Sequence, residues 1–233
     1  MSDDLTAKRA IVLTGTSSGL GKALHDTLLT DAFADDRKIY VSRRQCPANP
    51  PHSVDYVQTD LQSDAIDAAR INVPADTAQI VFISNAGVID PIAHADEIES
   101  TDFRRSLNVN LHSPLAIAQH LSREARKHGV SLRIVNISSG AAMRPIAGWA
   151  AYCTGKAAIR MAFDALALEN DHVEVRHFDP GVMDTSMQAT IRASSLRAMS
   201  AAGDFQRMFE DGLLKSPADV AGEIVSVLQE SWR

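Results

Sequence analysis

Ala10-Ile11-Val12-Leu13-Thr14-Gly15-Thr16-Ser17-Ser18-Gly19-Leu20-Gly21 carries an apolar run of strand length directly into a turn with three glycines, and a helix-period segment over residues 20–32 follows. A buried strand, a glycine turn and a helix, in that order, present backbone N–H groups and the positive end of a helix to an anion such as a pyrophosphate. Gly15, Gly19 and Gly21 are spaced G-x-x-x-G-x-G rather than G-x-G-x-x-G, so it is their position after a strand that gives them weight. The same residues also satisfy G-x-S-x-G, which would make Ser17 an acyl-transfer nucleophile of a serine hydrolase. That elbow needs an earlier strand and loop to supply its second oxyanion donor, and only fourteen residues precede Gly15.

Outward from the turn, strand-length apolar runs alternate with longer segments of helical period. Strands are expected over 10–13, 38–41, 54–57, 80–83, 132–137 and 173–178, and helices over 20–32, 63–71, 102–127, 150–169 and 218–228. Strands this apolar, separated by helices, imply a parallel sheet covered on both faces, which is a doubly wound, Rossmann-like α/β fold. Its ligand crevice should open beyond the carboxyl ends of the strands. Residues 1–233 show no linker and no internal repeat, and they read as one domain. Within it, 183–215 mixes Met183, Met187, Met199 and Met208 with Phe205, Phe209 and small residues, and reads as a lid over the crevice. The alternative is a pair of amphipathic helices packed on the body.

Composition narrows the partners. The net charge is -6, and no run of Lys and Arg is long enough to follow a nucleic-acid backbone. The start, Met1-Ser2-Asp3-Asp4, is acidic where a signal peptide would be basic, and no apolar run approaches the ~20 residues needed to cross a bilayer. The two cysteines, Cys46 and Cys153, have neither metal-ligand nor redox spacing, and the eight histidines show no metal pattern. A cytoplasmic protein without a metal, bound neither to nucleic acid nor to membrane, is the expectation.

The chemistry is concentrated late in the chain. Tyr152 and Lys156 are four residues apart on an expected helix, hence on one face, and Ser139 lies thirteen residues before the tyrosine. A phenol is a poor proton donor or acceptor near neutrality unless its anion is stabilised, and a neighbouring ammonium can do that. Taken with the glycine turn, the trio points to a nicotinamide-dependent reductase acting on a small-molecule carbonyl. After the second expected strand the chain reads Ser42-Arg43-Arg44, where an NAD-selective site carries an acidic residue for the ribose hydroxyls. A guanidinium there suits a 2′-phosphate, so NADP(H) is the expected cofactor.

These motifs resemble the short-chain dehydrogenase/reductase family in its single-domain form, and the resemblance covers nearly the whole chain. The family's glycine turn corresponds to Thr14 through Gly21, with Ser17, Ser18 and Leu20 among the cofactor contacts. Its adenine contact corresponds to Asp60, followed by Leu61, and its Asn-Ala-Gly to Asn85, Ala86 and Gly87. Asn110, Ser139, Tyr152 and Lys156 match its catalytic set, and Pro180, Gly181, Val182 and Thr185 its later cofactor loop. Asn136 to Ala142 and Pro180 to Gln188 look most like the sepiapterin reductase and benzil reductase group. The resemblance implies that Tyr152 protonates the developing alkoxide with Ser139 assisting, that Lys156 holds the nicotinamide ribose, and that Asn110 anchors a water. It further implies a homodimer through 102–127 and 150–169. Many members add a seventh strand used in tetramers, whereas this sequence ends at Arg233 soon after the last expected helix. A function of another class, NADP(H) binding by a redox-responsive partner protein without turnover, would leave the Ser139, Tyr152 and Lys156 set without a purpose.

Overall fold

Six strands, β1 (Arg9–Thr14), β2 (Arg37–Ser42), β3 (Val54–Gln58), β4 (Gln79–Ser84), β5 (Ser131–Ile137) and β6 (Val173–Phe178), form one parallel sheet. Their order is β3-β2-β1-β4-β5-β6. The computed structural model describes residues 8–43, 50–195, 197–230 and 232. Arg44, Cys46 and Met1 to Asp4, which entered the sequence reading, lie outside the described residues.

Strand alternation sorts the side chains into two layers. Ala10, Val12, Ile80, Phe82 and Ile134 pack against Ile117 and Leu121 of α3 (Ser113–His128) and Ile159 and Phe163 of α4 (Ala150–Glu169). Ile11, Leu13, Val81, Ile83 and Val135 face the other way, onto Leu20, Leu24 and Leu28 of α1 (Gly19–Leu28) and Val220, Ile224 and Leu228 of α7 (Pro217–Gln229). Both faces are dry, which explains why the central strands read as unbroken apolar runs.

Three helix expectations need correction. The first helix ends at Leu28, short of residue 32, and a 3-10 turn at Asp31–Phe33 follows. The segment 63–71 is not a helix: only a 3-10 turn at Ala68–Arg70 forms, begun by the Asp67 side chain accepting the Ala69 N–H at 3.2 Å. Aspartates that bond nearby backbone or side chains compete with helical pairing, and Asp64 likewise accepts from Asn108 Nδ2 at 3.1 Å. The long helix expected over 102–127 is α2 (Ser100–Leu107) and α3, joined through a π turn at Asn108–His112.

Residues 183–215 carry α5 (Ser186–Arg192) and α6 (Ala202–Glu210), which pack on each other. The ends of the segment are tied together, Lys215 N–H donating to Val182 O and Asp184 N–H to Lys215 O, both at 3.0 Å. It is thus an excursion from one point of the body, pressed down where Ala198 O lies 2.3 Å from the place a Cβ on Gly148 would take.

Candidate active site

The sheet order reverses between β1 and β4, and a cleft of about 490 Å³ opens there, at the carboxyl ends of the strands. Every strand contributes to it through the residues that follow: Gly15 after β1, Arg43 after β2, Asp60 after β3, Asn85 after β4, Ser139 after β5 and Asp179 after β6. Ser17, Ser18, Gly19, Leu20, Gly21, Ser42, Leu61, Ala86, Gly87, Tyr152, Lys156, Pro180, Gly181, Val182 and Thr185 also line it. Of the catalytic and cofactor-contacting residues expected at Asn110, Ser139, Tyr152, Lys156 and the positions just named, Asn110 is the one that does not reach the cleft wall.

The glycine turn is held by close approach. Gly15 has φ of 77°, and its N–H donates to Val41 O at 3.0 Å. A Cβ on Gly21 would fall 2.0 Å from Gly15 O and 2.5 Å from Asn85 Nδ2, so no larger residue fits. Asn85 fastens the turn to β4, its Nδ2 donating to Thr14 O at 2.9 Å while its own N–H donates to Thr14 Oγ1 at 3.1 Å. The N-cap of α1, Ser18, makes no side-chain cap bond, and no acidic residue occupies the first turn. The helix start therefore keeps its donors and positive potential for an anion in the cleft. Further along, the Arg43 guanidinium is exposed and makes no ion pair among the described residues. This combination of bare glycines, uncapped helix start and free guanidinium fits a phosphorylated dinucleotide.

At the other end, α4 brings Tyr152 and Lys156 to one buried stripe with Gly155 and Ile159. Gly155 lets the helix touch the π turn, because a Cβ there would sit 2.7 Å from Asn110 Cβ. Ser139 caps the 3-10 turn Gly140–Ala142 by accepting the Ala141 N–H at 3.2 Å, and it hydrogen-bonds the Tyr152 hydroxyl. Lys156 Nζ donates to Ile137 O at 2.8 Å and lies 5.7 Å from the centroid of the Tyr152 ring. Asn110 spends its side chain on the loop after β4, donating to Val88 O at 2.9 Å and accepting from Val88 N at 3.2 Å.

The protein groups around the tyrosine act on it in opposite directions. Burial pushes its hydroxyl up to about 12, opposed by the Ser139 hydrogen bond and reinforced by Asp179 and Cys153. Burial also brings Lys156 down to about 8, with Asp179 acting against the fall. In the chain without cofactor, desolvation outweighs whatever the lysine contributes, and the phenol is less acidic than in water. Lys156 by itself therefore does not bring Tyr152 below the ordinary phenol value, and an acidic tyrosine requires a second positive charge beside it, such as that of an oxidised nicotinamide.

Trp149, Ile146, Met183, Met187, Ile191 and Phe205 line the apolar part of the cleft, while Met143 is exposed and Met199 fully buried. The Trp149 ring stacks on Phe205 at 5.5 Å and meets Tyr152 edge-on at 5.7 Å. Sequence reasoning missed Asp179 and Arg144, both in the cleft wall. The available signal was that Asp179 immediately precedes the Pro180-Gly181 pair already singled out. Among the described residues no group of three or more His, Cys, Asp or Glu side chains is arranged to hold a metal, and no helix is long and apolar enough to cross a membrane.

The fold and this cleft are those of a nucleotide-dependent oxidoreductase, and comparison with known proteins gives the family. Residues 9–196 match the short chain dehydrogenase family, and the chain belongs to it. It is 32% identical to a benzil reductase, (S)-benzoin forming, of Bacillus subtilis, over 94% of this chain and 93% of that one. It is 29% identical to the sepiapterin reductase of Rattus norvegicus, over 94% and 90%. Among solved structures, the KRED1-Pglu enzyme superposes with a TM-score of 0.82 at 26% identity, covering 97% of each chain. Two more distant ones share the fold: a 4-hydroxyisoleucine dehydrogenase complexed with NADH (TM-score 0.71, 17% identity, 95% and 91% covered) and a putative 2-deoxy-D-gluconate 3-dehydrogenase from Agrobacterium tumefaciens with bound NADP (0.74, 22%, 93% and 87%). The chain is an oxidoreductase of the family, whose cofactors are nicotinamide dinucleotides. Acyl transfer by Ser17 is thereby set aside.

Proposed function

We propose that this chain is an NADPH-dependent reductase that converts a ketone, most suitably a 1,2-diketone, to an alcohol. The observation that carries the reading is the gathering of Ser139, Tyr152 and Lys156 on one wall of a cleft whose far end is the uncapped glycine turn. The nicotinamide, when bound, supplies the hydride. Tyr152 hands its proton to the oxygen of the reduced carbonyl, and Ser139, already hydrogen-bonded to Tyr152, donates to the same oxygen. Lys156, held by the Ile137 carbonyl, would hold the ribose of the cofactor. Asn110 serves by fixing the loop after β4 and the start of the π turn beneath Lys156, since its amide is already engaged with Val88. Arg43 receives the 2′-phosphate, with Asp60 at the adenine.

Residues 183–215 form the lid in this reading. Support comes from the tied base at Val182 and Lys215, and from two buried donors with no partner among the described residues, Trp149 Nε1 and Gln188 Nε2, at the seam between the segment and the body. Each such donor weakens the closed packing by about 1–3 kcal/mol, which favours opening. A homodimer through α2–α3 and α4, in the cytoplasm, completes the proposal.

Mixing the protein with NADPH and benzil or 1-phenyl-1,2-propanedione, and following cofactor absorbance, tests it directly. The wild type should consume NADPH, and Tyr152→Phe should lose at least ~100-fold in kcat. Arg43→Asp should raise KM for NADPH at least ~10-fold with a smaller effect on NADH. A Tyr152→Phe variant as active as wild type would falsify the catalytic assignment.

A further inference from the structure

Strand β6 ends at Phe178, and the next residue, Asp179, lines the same cleft as Ser139, Tyr152 and Lys156. Asp179 Oδ1 accepts the Gly181 N–H at 3.0 Å, which fixes the side chain. Its Oδ2 lies 3.9 Å from where a Cβ on Gly140 would stand, beside the turn that carries Ser139. No cation pairs with it among the described residues. Arg144 shares the cleft wall, and the Lys215 stem approaches Gly181, but the Lys215 ammonium is given to Glu223 at 2.9 Å. On α4 the facing groups are Tyr152, Cys153 and Lys156, and Lys156 Nζ is turned to the Ile137 carbonyl. The Asp179 charge bears on both Tyr152 and Lys156, which places it within electrostatic reach of the reacting atoms.

Asp179 is exposed at the mouth of the cleft, so water screens its charge on one side, but the cleft wall behind it does not, and a carboxylate without a cation partner there repels a second anion brought to within a few ångströms. We propose that Asp179 is a specificity-determining residue that turns away carbonyl substrates carrying a carboxylate next to the reacting carbon and admits their uncharged counterparts. The inference rests on the reductase reading and sharpens it: the substrates are neutral ketones and diketones, and 2-oxo acids of the same shape are excluded.

Two matched ketones test it, 1-phenyl-1,2-propanedione and benzoylformate, which differ chiefly in a methyl ketone against a carboxylate. The ratio of their kcat/KM values should favour the dione in the wild type, fall at least tenfold in Asp179→Asn and be retained in Asp179→Glu. An unchanged ratio in Asp179→Asn overturns the assignment. A binding arm is independent of turnover: benzoylformate and its amide are compared by thermal shift on cofactor-saturated protein. Wild type should hold the amide at least tenfold more tightly, and Asp179→Asn should close that gap. A gap that persists in Asp179→Asn, or is absent from the wild type, overturns the proposal whether or not either ketone is reduced. A gap that closes in a protein that reduces neither ketone upholds the charge filter and sinks the reductase reading.

Discussion

At the residue scale, Lys156 is the most costly group in the site. Its ammonium is buried and brought down to about 8, against 10.5 for an ordinary lysine, so the folded chain resists protonating it. The penalty is fully present below pH 8 and is relieved as pH rises from there toward the unfolded value. Lys156→Met should therefore stabilise the fold at pH 7 by about 2 kcal/mol, after allowing for the lost hydrogen bond to Ile137, while removing activity. Denaturant unfolding at pH 7 checks this, and a less stable variant contradicts it. Tyr152 behaves oppositely. Because burial holds it up at about 12, difference titration of cofactor-free wild type against Tyr152→Phe should show no phenolate below about pH 10. The proposed mechanism uses a protonated Tyr152 and a charged Lys156, so the reduction rate should decline on the alkaline side as Lys156 loses its proton, beginning near 8. Sequence could reveal that these two residues share a helix face. It could not reveal how dry that face is, which is what sets Tyr152 and Lys156 away from their ordinary values.

At the scale of elements, what was legible followed from hydrophobic continuity. The strands between dry layers, and α4 from Ala150 to Glu169, emerge as expected because propensity and burial agree there. The failures occur where polar side chains redirect the backbone: Asp67 stops a helix at 63–71, and Asn108 and Asn110 accompany the π turn. The π turn and Gly155 act as a pair, since only a glycine allows α4 to approach Asn110 so closely. Gly155→Val should push α4 outward, cost about 1–3 kcal/mol and reduce kcat/KM at least ~10-fold through displacement of Tyr152 and Lys156. Gly222 in α7 offers the contrast. No atom of the described residues lies within 4 Å of a Cβ there, and Gly222→Ala should stabilise by about 0.5–1 kcal/mol without altering kinetics. Melting curves with kinetics on both variants separate tight packing from mere helix propensity.

At the scale of the molecule, the sheet order and the place of the cleft follow from the alternation of strands and helices, and the sequence motifs fall at strand ends because that is where a doubly wound sheet opens. What spacing alone could not disclose was the sixth contributor, Asp179, since a single acidic residue has no pattern. The outer surface carries its own message. Met161 and Leu168, seven apart on α4, are 70% and 88% exposed, an apolar stripe on the helix proposed to pair with a second copy. Changing both to Glu should leave the monomer folded and raise the dimer dissociation constant at least ~10-fold, measured by sedimentation velocity. A wild type that sediments as a monomer would remove the dimer from the proposal.

Since each of the six strands delivers its own loop to the cleft, the proposed recognition tasks fall on different side chains: Arg43 beyond β2 would meet the phosphate end of the coenzyme, and Asp179 beyond β6 the carbonyl compound. Coenzyme choice and carbonyl choice can therefore drift separately, by exchange of side chains at opposite ends of a trough whose floor remains untouched.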